Sequence, residues 1–182
     1  MGLGLLVVGG IVVLYLVLVF NGLVRLRALA QNAYADIDVQ LKRRHDLVPT
    51  LVATVQGHAG YEKGTLQAVV ESRNQAQLAS GPAAAGQVEK VLGGQVKQLL
   101  AIAEAYPDLK AGESFLSLQR SLVQIEDSLQ QSRRYYNAVV RDYNTKIMQF
   151  PEVLVARPMG FPPAEFFGLE NEAEAAVPSV KV

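Results

Sequence analysis

No charged side chain occurs before Arg25, and the stretch 1–24 is almost wholly apolar, whereas everything after it is mixed and polar. An uncharged apolar run of about 18 residues or more reads as a bilayer-spanning helix, because its backbone polar groups bond within the segment. At about 1.5 Å per residue, Leu3 to Val24 extends about 33 Å, close to the roughly 30 Å hydrocarbon core of a bilayer. The rival reading is a cleaved secretory signal, for which Ala28-Leu29-Ala30 supplies a small-residue motif. Against it stand the lack of a basic segment before the run, the intervening Arg25 and Arg27, and a run longer than a usual signal core. Those two arginines follow the span and nothing basic precedes it, so the expected topology exports a short N-terminus and keeps the bulk in the cytoplasm.

The remainder is long enough for one domain. Over the whole chain, 17 basic and 17 acidic residues cancel, which removes the net basic face that nucleic-acid binding needs. With no cysteine, disulfides and thiolate metal ligands are excluded for this chain. Alanine, leucine, glutamine and valine dominate, without the alternation that strands require, so the body is expected to be all-α.

Past Arg27 the apolar positions Leu29, Ala33, Ile37, Leu41 and Val48 continue at helical spacing, so one rod is expected to run from the bilayer into the body. Pro49 lacks an amide donor and crowds the carbonyl four residues earlier, which predicts a kink or break near Asp46. A second helix is expected over Leu51–Ala76, weakened by Gly57, Gly60 and Gly64. Ser80-Gly81-Pro82 then breaks the chain, with Pro82 suited to open a third helix that stops at Pro107. From Phe115 to Tyr143 seam positions, apolar except Ser132, step by three and four in strict alternation, the signature of knobs-into-holes packing in a coiled coil or bundle. The fold class is therefore an N-terminal transmembrane helix continuing into an antiparallel up-and-down four-helix bundle. Its expected parts are an anchor (1–24), the bundle (25–150), an irregular aromatic strap (151–169) and a disordered acidic tail (170–182).

Few residues point to chemistry. The two histidines, His45 and His58, lack the Glu-x-x-His partners of a di-metal bundle, and His58 with Glu62 makes only half a site. No nucleophile motif, P-loop or dinucleotide fingerprint is present, so no catalytic, cofactor or metal residue is expected. The conspicuous polar feature is a repeat: Arg134-Tyr135-Tyr136-Asn137 is followed seven residues on by Arg141-Asp142-Tyr143-Asn144. Seven residues return to one helix face, so Tyr136 with Tyr143 and Asn137 with Asn144 form a ladder. It serves either the bundle itself or a second subunit, where buried polar groups fix register. Asp36 and Asp38 precede a basic triplet, Lys42-Arg43-Arg44, whose members point around the helix and are expected to be mostly solvated.

The chain resembles the LemA family of bacterial proteins. The likeness is carried by Ala35 to Arg44 running on to Asp46-Leu47-Val48-Pro49, by Tyr106 to Ala111, by Arg133 to Asn137, by Tyr143-Asn144-Thr145, and by Phe150-Pro151 and Gly160-Phe161. It departs at Tyr61, where relatives tend to carry histidine, at Tyr34, where they carry tryptophan, and at Gly112, often asparagine. The resemblance implies an inner (plasma) membrane protein with a cytoplasmic helical bundle and no established enzymatic activity. It also implies a structural, oligomeric factor, ring-like assembly and membrane shaping having been proposed for relatives. The expected function is a non-enzymatic, self-associating membrane scaffold whose partners are the bilayer and further copies of the chain. The alternative is an adaptor presenting its bundle to another membrane protein, such as a protease or sensor kinase. The candidate interaction or register residues are Asp36, Asp38, Arg43, Arg44, Arg134, Tyr136, Asn137, Arg141, Tyr143 and Asn144.

Overall fold

The computed structural model describes residues 2–57, 63–103 and 106–168. These form six helices and no strand: α1 (Gly2–Gln56), α2 (Lys63–Leu78), α3 (Pro82–Ala103), α4 (Pro107–Lys110), α5 (Glu113–Met148) and α6 (Val153–Ala156). The expected pair His58 and Glu62, and the tail from 170, lie outside the described residues.

The longest helix, α1, has 55 residues and carries the apolar segment and the first quarter of the body's core without interruption. Leu3 to Leu18 stand clear of the rest of the chain, exposed along their whole length. Burial begins at Leu23 and then follows Ala30, Ala33, Ile37, Leu41, Val48, Leu51 and Val55, a stripe at helical spacing.

Of the kink or break expected at Pro49, the break does not occur: α1 runs through it to Gln56. A helical proline orphans the carbonyl four residues back, here that of His45. Arg73 on α2 fills the vacancy, its Nε donating to the His45 oxygen at 2.7 Å. The lost backbone bond is thus replaced by a charge-assisted one, which is stronger than a neutral pair. The boundary between α1 and α2 falls instead after Gln56, in the glycine-containing stretch that begins at Gly57. The third helix opens at Pro82, as the sequence indicates.

α1 packs principally on α5, and α2 on α3. Three apolar clusters follow one another along the α1–α5 pair, and the two helices enter them in opposite chain order. Val48, Leu51 and Val55 share the first with Phe115 and Leu122, together with Val69 of α2 and Leu92, Val96 and Leu99 of α3. Ala33 and Ile37 share the second with Tyr136, Val140 and Phe167. Leu23 shares the third with Tyr143, Ile147, Val155 and Phe161. Each large side chain fully removed from water contributes about 1.5 to 3 kcal/mol, so the first cluster, fed by four long helices, is the main source of stability.

Candidate functional site

After α5 the chain turns through α6 and returns along α5 as an extended strap. Residues 162–167 run in the opposite direction to α5 and are held by the repeated Tyr-Asn pairs. Asn144 Nδ2 donates to the Ala164 oxygen at 2.9 Å while its Oδ1 accepts from the Ala164 amide at 2.8 Å. One heptad earlier, Asn137 repeats the arrangement with Phe167, at 3.1 and 2.9 Å. The tyrosines add a bond each, Tyr143 to the Pro162 oxygen at 2.9 Å and Tyr136 to the Glu165 oxygen at 2.7 Å.

The spacing explains why a heptad is needed. Seven helical residues rise about 10.5 Å, and three extended residues, Ala164 to Phe167, cover about 10 Å. Two asparagines seven apart therefore meet two strap residues three apart, each engaging both backbone groups as a neighbouring strand would. A segment rich in proline, which cannot satisfy itself as a helix, is thereby bonded and fixed in register.

The strap is clamped at Phe167 and Gly168 as well. Phe167 is buried, with the Arg133 guanidinium 4.9 Å from its ring centre and Tyr34 packed at 6.4 Å. Beyond it, Gly168 adopts φ +52° and lies directly against Gly86 of α3, where an added Cβ would stand 2.3 Å from the Gly168 nitrogen. Glycine at 168 suits the positive φ, and glycine at 86 permits the close approach.

A second polar group lies deeper, among α1, α3 and α5. Arg44 donates to Glu89 at 3.3 Å and to Glu126 at 2.7 Å, and His45 Nε2 donates to the other Glu89 oxygen at 2.5 Å. Arg44, His45 and Glu89 are buried, Glu89 to 1% exposure. Gly93 makes room for the guanidinium, since a Cβ there would lie 2.7 Å from an Arg44 nitrogen. Most of the basic triplet is solvated as expected, Lys42 and Arg43 being exposed, while Arg44, one of the candidate interaction residues, is a buried ion-pair member within the chain. Its place on the inner face of α1, opposite Glu89, is the cause.

Of the other candidates, Asp36, Arg134 and Arg141 are exposed on their helices, and Asp38, also exposed, is hydrogen-bonded to Tyr34, which packs on Tyr136 and Phe167. The arginine that meets the strap is Arg133, one position before the repeat. Among the described residues no group of three or more His, Asp or Glu side chains is disposed to hold a metal ion.

Burial pushes the Tyr136 hydroxyl from its ordinary 10.0 up to about 12, and burial also raises Tyr143, opposed by Arg27. Below pH 10 both the folded and the unfolded chain keep the Tyr136 proton, so stability does not change on this account. Between about 10 and about 12 the unfolded tyrosine ionises first, and the folded state loses stability as pH rises. Alkaline titration is therefore expected to release the strap over that window, read as the onset of proteolytic cleavage after Pro151 before helical circular dichroism is lost. Tyr136→Phe is expected to weaken the pH dependence.

These features define a class: a helical protein with, among the described residues, one helix long and apolar enough to cross a membrane, continuous with a body that an extended strap closes. The chain belongs to the LemA family, whose family model matches residues 33–182. It is similar to the magnetosome protein MamQ of Magnetospirillum gryphiswaldense, at 25% identity over 174 residues, covering 81% of this chain and 64% of MamQ. It is also similar to protein LemA of Metamycoplasma hominis, at 27% identity over 135 residues, covering 71% of this chain and 60% of that one. The chain thus spans less than two thirds of the length of these relatives.

Proposed function

We propose that this protein is a non-enzymatic scaffold of the inner membrane, anchored by the first part of α1, with its body in the cytoplasm as an antiparallel up-and-down bundle that self-associates to organise the bilayer. The observation that carries this reading is the unbroken α1. A helix that passes from an exposed apolar segment into the body's main core transmits the body's orientation to the bilayer without a hinge. The arginines that follow the apolar segment support the orientation. Self-association is supported by Leu116 and Val123, exposed apolar residues one heptad apart on α5.

Native mass spectrometry and particle imaging of detergent-extracted full-length protein test the reading. A discrete oligomer that Val123→Lys dissociates without loss of helix is expected. A monodisperse monomer at high concentration would contradict it. The similarity to a magnetosome protein is compatible with a role in membrane organisation.

A further inference from the structure

The corner where α5 gives way to α6 exposes large apolar side chains that the body does not cover. Phe150 is 79% exposed, Leu154 65% and Met159 61%. Their neighbours Ile147, Val155 and Phe161 are buried, in the cluster built on Leu23 of α1. The corner is therefore amphipathic across single residues, with one side against the helix and the other open.

Its position decides what faces that open side. α5 enters its clusters in the opposite order to α1, and Ile147 is at the level of Leu23. Continuing past Ile147 leads toward lower residue numbers of α1, into the apolar segment. Phe161 stacks edge-on against Phe20 at 5.7 Å, and Val19 packs on the same cluster. Phe150, Leu154 and Met159 thus stand beside the last turns of the apolar segment, whose own side chains before Val19 are exposed. Arg25, Arg27 and Arg157 are exposed around the same level, and the corner's carboxylate, Glu152, is held by Lys146. Apolar side chains rimmed by cations are the pattern of an interfacial lipid contact.

We infer that the α5–α6 corner is a foot seated in the phospholipid headgroup layer beside the span, inserting Phe150, Leu154 and Met159 while the nearby arginines meet lipid phosphates. The inference rests on the reading of α1 as a bilayer span. Such a foot gives the body a second attachment, so that it tilts with the lipid surface and does not swivel about a single helix.

The absence of tryptophan from the chain makes the test direct. Full-length Leu154→Trp and, separately, Phe150→Trp are reconstituted in phosphatidylcholine vesicles carrying bromine on the upper acyl chain. Leu16→Trp reports on the span and Val91→Trp on the body far from lipid. Blue-shifted, strongly quenched emission at 154 and 150, with Val91→Trp unquenched, is the expected result. Quenching at 16 but not at 154 or 150 overturns the foot and leaves the span standing; if emission at 154 is still blue-shifted, protein covers the corner. Absence of quenching at 16 overturns both.

Discussion

Glu89→Ala is expected to destabilise the full-length protein by about 3 to 5 kcal/mol, the usual cost of removing one partner from a buried ion pair. Glu89 is 1% exposed and serves two donors, Arg44 at 3.3 Å and His45 at 2.5 Å. Deleting it leaves His45 without its side-chain partner and Arg44 with only Glu126, a quarter of whose side chain is exposed. The charge that remains is the source of the penalty, more than any bond lost. Glu126→Ala is expected to cost less, since water can replace it. Denaturant unfolding in detergent, followed by helical circular dichroism, measures both. Equal effects for the two variants would mean that Arg44 is as hydrated as a surface side chain.

Asn144→Ala is expected to cost about 2 to 3 kcal/mol and to free the strap, because it removes two hydrogen bonds and leaves the Ala164 amide and carbonyl without partners. Had Asn144 faced a second subunit, its loss would be mild for the fold. Within this chain both of its polar groups are already engaged by the strap. Limited proteolysis separates the cases: the variant is expected to be cut between 158 and 168 while α1 and α5 persist. Asn137→Ala should act in the same direction and combine less than additively with Asn144→Ala, since one strap is released once. Unchanged protection in both variants would remove the ladder's latching role.

Much of this architecture was legible in the chain. The three-four alternation from Phe115 to Tyr143 gives the α5 seam directly, and Ser80-Gly81-Pro82 marks the start of α3. The heptad of tyrosine and asparagine is equally plain, but its partner is not. The strap has no period of its own, and pairing between an irregular segment and a helix leaves no pattern in either alone.

Two features are set by partners distant in sequence. Within the continuous helix at Pro49, the freed His45 carbonyl accepts from Arg73, a residue distant in sequence. Arg44 is a candidate interaction residue in the sequence, but only the fold brings its partners Glu89 and Glu126 to it. A signal was nonetheless present. His45 stands four residues after Leu41 and three before Val48, on the seam itself, and Gly86 and Gly93 repeat one heptad on α3 where the strap and the guanidinium need space. A polar residue on an apolar seam is a sequence-level cue for a buried polar partner.

Continuity of α1 from lipid into the core is the claim on which the rest depends, and the chain's lack of cysteine allows labels to be placed at will. Spin labels at the exposed positions Leu29 and Ala53 bracket Pro49 on full-length protein in lipid vesicles. Double electron–electron resonance is expected to give one narrow distance near 36 Å, the rise of 24 helical residues at about 1.5 Å each. A broad or markedly shorter distribution would mean that the rod breaks at the proline and that the body is only flexibly tethered.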